Sequence, residues 1–96
     1  MSNKGQGVPQ NYEEAVMWYR QAAEQGYATA QFWLGLSYVT GRGVPKDYVL
    51  GHMWLNLAVA HGIERAIKAR DFAAEKMTSD QIAEAQRLAR EWKPKE

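Results

Sequence analysis

The residues of this chain able to bind a metal or move a proton are few and poorly spaced for either task. His52 and His61 are the only histidines, nine positions apart, and on a helix that separation points the two rings in different directions. A zinc site on a helix needs ligands one turn apart, as in His-Glu-x-x-His, and that arrangement is absent. No cysteine is present, which removes disulfides, thiolate ligands and thiolate nucleophiles together. Ser2, Ser37 and Ser79 have no base near them in sequence; Ser37 lies in an apolar run and Ser79 at a helix cap, so no Ser-His-Asp set is visible. Gly5-x-Gly7 and Gly41-x-Gly43 each precede a helix start, where backbone N–H groups and the helix dipole can hold an anion. Neither is followed by the Lys-Ser/Thr of a phosphate loop or preceded by a strand. Both read as turns whose glycines supply positive backbone angles. No catalytic, metal or cofactor residue is assigned.

What places these residues is an internal echo. Gly5-Gln6-Gly7-Val8-Pro9 returns 36 residues later as Gly41-Arg42-Gly43-Val44-Pro45. Tyr12, Met17, Trp18, Ala22, Gly26 and Ala30 return as Tyr48, Met53, Trp54, Ala58, Gly62 and Ala66. A period in the mid-thirties with paired helical patterns marks a solenoid, whose function sits on an extended surface. With 96 residues the chain holds one modest core and one domain. Its 12 basic and 11 acidic residues are spread along it and give no basic patch for nucleic acid. The start lacks an apolar leader, and no run is long enough to span a bilayer. The expectation for the chain as written is a cytoplasmic protein without nucleic-acid or membrane partner.

The helical patterns follow from caps and spacing. Asn11 caps a first A helix over about 12–25, with Glu13 and Glu14 in its first turn and Gly26 as its stop. Thr29 to Val39 is apolar enough for a helix covered on several sides. Gly35 inside it is unfavourable by about 1 kcal/mol against alanine, which a close helix crossing offsets. Asp47 caps a second A helix that ends at Gly62, and Glu64 to Met77 stands in the place of the second B helix. There Arg70 and Asp71 occupy the register of Leu34 and Gly35. Thr78 with Gln81 forms a capping box for a fifth, amphipathic helix over about 79–93, with Arg87 and Glu91 at pairing distance. A solenoid needs such a helix to close its last apolar face. The expected fold is all-α: two helix-turn-helix repeats, about 5–40 and 41–76, plus a C-terminal capping helix. Trp18, Tyr19, Trp33, Tyr38 and Trp54 fall on apolar stripes at equivalent places in the repeat, which assigns them to the core, with Trp92 half covered.

Two surfaces are candidates for binding. The outward stripe of the A helices, which lines the concave side in solenoids of this kind, carries Glu13, Met17, Arg20 and Glu24 beside Val49, Met53, Asn56 and Ala60. Methionine is adaptable and arginine a common interface anchor, so this ladder is expected to take a protein or peptide. The second surface is the N-terminal side of the first repeat, where Tyr12, Val16, Tyr19 or Phe32 would be exposed without a preceding helix pair. The expectation there is a homodimer or an upstream segment.

The pattern Ala-x-x-Trp-Tyr-x-x-Ala-Ala at Ala15 to Ala23, with Gly26, Ala30, Leu34-Gly35, Tyr38, Gly41-x-Gly-Val and Asp47, resembles the Sel-one-like repeat, a relative of the tetratricopeptide repeat. The resemblance covers about 5–76, and the segment from Met77 to Gln86 looks like the tail of bacterial members. It implies a right-handed superhelix of antiparallel helix pairs acting as a non-enzymatic adaptor. Gly51 departs from the alanine of the pattern, and Arg70-Asp71 from its Leu-Gly. Some secreted members with a cysteine pair per repeat are associated with penicillin binding or hydrolysis; this chain resembles the cysteine-free branch. The functional expectation is therefore an interaction module, with a self-associating structural module as its alternative and a β-lactam hydrolase as a more distant one.

Overall fold

The computed structural model describes residues 11–95, so the first turn, Gly5 to Pro9, lies outside the described residues. Among the described residues there are five helices and no strand: α1 (Tyr12–Glu24), α2 (Ala28–Thr40), α3 (Tyr48–Ala60), α4 (Ala66–Glu75) and α5 (Ser79–Glu91). The fold is the all-helical repeat solenoid. Local chemistry sets its helix starts. Asn11 Oδ1 accepts from the Glu14 N–H at 2.7 Å, Asp47 Oδ1 from the Leu50 N–H at 3.0 Å, and Thr78 and Gln81 form the reciprocal box. Each satisfies backbone donors that the first turn leaves unpaired. α4 has no side-chain cap and starts two residues later than the expected Glu64, with Glu64 and Arg65 in a turn. That turn lays the Arg65 guanidinium over the Phe32 ring at 4.7 Å and the Trp33 ring at 5.7 Å.

The closest crossing is between α2 and α3. A Cβ at Gly35 would stand 2.7 Å from Leu55 Cγ and 3.1 Å from the Gly51 carbonyl oxygen, and a Cβ at Gly51 would stand 2.6 Å from Val39 Cγ2. The two glycines let the backbones meet, which is the compensation for placing glycine inside a helix. Leu34 and Leu55 are fully buried on either side of this crossing. The turn after α2 uses Gly41 and Gly43 at φ 73° and 79°. Gly43 also has no room for a side chain, since a Cβ would run into the Tyr12 carbonyl. The turn thereby fixes the start of α1 against the start of the second repeat.

Two apolar clusters fill the core. One joins Val16 and Ala23 of α1, Leu34 and Tyr38 of α2 and Met53, Trp54 and Leu57 of α3; the other joins Phe32, Val39, Leu55, Ala58, Ala66 and Ala73. Leu88 and Ala89 of α5 and Trp92 at its C-cap pack on the first cluster. α5 therefore lies chiefly on α3, whereas a cap that closes the last apolar face would lie on α4. Phe72 and Ile67 of α4 stay exposed as a result. The reason is where the apolar surface is: α3 offers Met53, Trp54 and Leu57 in one patch, while α4 interrupts its stripe with Lys68, Arg70 and Asp71.

Candidate functional site

The structure divides the expected ladder. On α1, Glu13 and Met17 are exposed and Arg20 and Glu24 half-buried. Arg20 Nη2 donates to the Tyr38 hydroxyl at 2.9 Å, and the guanidinium lies 5.7 Å from that ring. A guanidinium fixed in this way still carries further N–H donors and loses less freedom when it binds. Glu24 meets the end of the chain: its carbonyl accepts from the Lys95 N–H at 2.7 Å and its carboxylate stands 3.2 Å from Lys95 Nζ. Gln21, Glu24, Gln25 and Lys95 line a shallow depression between α1 and this tail.

On α3 the ladder is mostly closed. Val49 and Asn56 are half-buried, and Asn56 Oδ1 accepts from Arg70 at 3.0 Å. Met53 was expected to point outward with Met17, but the two differ: Met17 is 64% exposed and Met53 only 7%. α5 is the cause, because its apolar stripe covers the α3 residues that repeat those of α1. Trp92 stands edge-on to Trp54 with ring centroids 6.0 Å apart, and 6.4 Å from His61.

The N-terminal side also differs from its expectation. Tyr12 is exposed and Tyr19 half-buried, but Val16 and Phe32 are buried in the two core clusters. Val16 packs in the first cluster beside Gly43, and Phe32 in the second under Arg65. Trp18 and Trp33, assigned to the core by their place in the repeat, are instead exposed, as is Tyr27. Trp18 is 61% exposed where its counterpart Trp54 is 5% exposed. Equivalence in a repeat carries over packing only where both copies have the same neighbours, and α5 packs chiefly on α3. Trp33 is shared, stacking on Tyr19 at 6.3 Å while Arg65 covers its other side. Glu14 and Gln21 were the available signal: they stand where α3 has Leu50 and Leu57, and a polar rim beside Trp18 does not belong in a core.

The buried polar residues Gln31 and Ser37 have structural partners. Gln31, fully buried, donates to the Ala23 carbonyl at 3.3 Å, and its Oε1 lies 2.9 Å from His61 Nδ1. With the proton on Nδ1 this ties the ends of α1, α2 and α3 together. Ser37 Oγ donates to the Trp33 carbonyl at 3.0 Å, and Ser79 opens α5 behind its Thr78 cap. Burial lowers the pKa of His52, the charge of Arg70 adds to this, and Asp71 opposes it. Among the described residues no three His, Asp or Glu side chains converge as metal ligands, and no helix is long and apolar enough to cross a membrane.

Residues 1–27 and 28–63 each match the family model of the Sel1 repeat. The second match spans α2, the glycine turn and α3, the two helices that cross most closely. The structure is similar to that of c5321, described as a protective antigen present in uropathogenic Escherichia coli strains and displaying an SLR fold. The TM-score is 0.82 at 33% sequence identity, over 93% of this chain and 19% of that one. This chain thus spans less than a fifth of the length of that protein. No curated protein matches it.

Proposed function

The chain belongs to the Sel1 repeat family, and from that premise we propose that it is a non-enzymatic interaction module which binds a protein or peptide on the open part of its A-helix face. The observation that carries this is the exposure of Met17 on α1, between Glu13 and the fixed Arg20. An unbranched apolar side chain beside a preorganised arginine suits varied protein contacts. Val49 and Asn56 extend the strip onto α3. Met53 does not belong to it, being covered by α5. A photo-crosslinking residue placed at Glu13 or Val49 is expected to capture a partner, while one placed at Thr40, exposed at the end of α2, is not. Equal capture from both positions, or none from either, overturns the assignment.

Exposed Tyr12, Trp18, Tyr27 and Trp33 favour a second reading, a module that associates with itself through the aromatic side of its first repeat. Large exposed apolar patches mark interaction sites. Sedimentation equilibrium decides it: a dimer dissociated by Trp18→Ala supports self-association, and a monomer at high concentration ends it.

A further inference from the structure

We propose that the Met17–Trp18 face of α1 is a docking site for one amphipathic helix of a partner protein, a helix with an apolar Leu/Trp stripe and basic flanks. This rests on the reading of the A-helix face as a binding surface and goes further by naming what binds. The chain itself shows the equivalent site filled. Met53 and Trp54 stand 36 residues after Met17 and Trp18, and on α3 both are buried in the cluster on which Leu88 and Ala89 of α5 and Trp92 at its C-cap pack, with Trp92 edge-on to Trp54. The same two side chains on α1 are 64% and 61% exposed. The Met-Trp pair repeats, so an apolar surface like the one that meets a helix on α3 is presented again on α1, and no described helix covers it.

The rims of the two sites differ in a way that separates a permanent contact from a reversible one. Around Met53 and Trp54 stand Leu50 and Leu57; at the same positions around Met17 and Trp18 stand Glu14 and Gln21. An apolar centre with a polar rim is the anatomy of an interface that also exists open in water. The charge of the rim selects the occupant. Glu13 gives its N-terminal end an exposed carboxylate, and Arg20, the cation of this helix, is turned to Tyr38. A helix bearing lysine or arginine beside its stripe is complementary to this edge, and electrostatic complementarity of that kind sets partner choice and encounter rate. The face is also continuous with a contact already made, because the tail of α5 reaches α1 through Lys95 and Glu24.

The test uses the full chain and three synthetic peptides. The first has the α5 and tail sequence Ser79–Lys95; the second is the same peptide with Asp80→Lys, Glu84→Lys and Glu91→Lys; the third adds Leu88→Ala and Trp92→Ala. Binding is read by fluorescence anisotropy of the labelled peptide and by its gain of helical circular dichroism. The basic peptide is expected to bind and become helical, the unmodified one to bind several-fold more weakly, and the stripped one not to bind. Trp18→Ala in the chain should weaken the basic peptide at least tenfold, and Glu13→Lys should abolish its advantage over the unmodified one.

Binding that survives Trp18→Ala and is lost on Trp54→Ala would mean that the peptide displaces α5, and overturns the proposal. A chain dimer that Trp18→Ala dissociates would make a second copy the occupant and overturns it equally. Absence of peptide binding, with photo-crosslinking at Glu13 or Val49 still capturing a partner, removes the helix site and leaves the interaction module standing.

Discussion

His52 sits where the first repeat has Val16, and the two are equally buried at 4% exposure. The valine fits the place; the imidazole leaves Nδ1 without a hydrogen-bond partner. Burial therefore lowers its pKa from the ordinary 6.5, with Arg70 acting in the same direction and Asp71 against it. Between that lowered value and 6.5 the folded chain binds fewer protons than the unfolded chain, so stability falls as pH falls across the interval and levels out beneath it. Denaturant midpoints should show this slope below pH 6.5 in the natural chain and lose it in His52→Val, which borrows the residue of the first repeat. Glu84, held below its ordinary range by its hydrogen bonds with Arg87, titrates in a lower window and leaves the comparison clear. An unchanged slope in His52→Val would assign the pH dependence elsewhere.

At the scale of helices, the crossing of α2 and α3 depends on a pair of glycines. Gly35→Ala drives its methyl to 2.7 Å from Leu55 Cγ, and Gly51→Ala drives its own to 2.6 Å from Cγ2 of the stiff, β-branched Val39, with the Gly35 carbonyl oxygen 3.2 Å away. Overpacking of this kind costs about 1–3 kcal/mol, against about 1 kcal/mol returned by alanine's helix propensity. Gly35→Ala and Gly51→Ala should therefore each lower the melting temperature; a substitution that leaves it unchanged would mean that the crossing is not tight at that glycine. This crossing was legible in the sequence, since a glycine within an apolar helix needs a reason. So were the caps at Asn11, Asp47 and Thr78, whose signals are local hydrogen bonds. The placement of α5 was not legible. Its amphipathic stripe shows that it covers something apolar, but the choice between α3 and α4 depends on which surface is more continuous in space. Exposed Trp18 was missed for the same reason, because a period transfers residue types and not neighbours.

Over the whole molecule, the two repeats share a sequence and part company at their covers: α3 is enclosed by α2, α4 and α5, while α1 rests on α2 and keeps one side open. The A-helix face is thus half closed by the chain's own last helix, and what stays exposed lies on α1, at Glu13 and Met17. If α5 is structural and not an appendage, removing it must expose Met53, Trp54 and Leu57 together. Exposing each such side chain costs about 1.5–3 kcal/mol, so the loss is comparable to the whole stability of a small domain, about 5–15 kcal/mol. A chain ending at Met77 should lose its cooperative thermal transition, as followed by circular dichroism. Adding the Ser79–Lys95 peptide in trans should restore the transition, with a midpoint that rises with peptide concentration as ligand linkage requires. Rescue by the peptide with Leu88→Ala and Trp92→Ala would show that the stripe is not what closes α3. A truncated chain that melts at the natural temperature would show that α2, α3 and α4 hold the core without it. The expected result, collapse without α5 and recovery with it, would establish on α3 the helix-on-groove binding that α1 is proposed to offer to a partner.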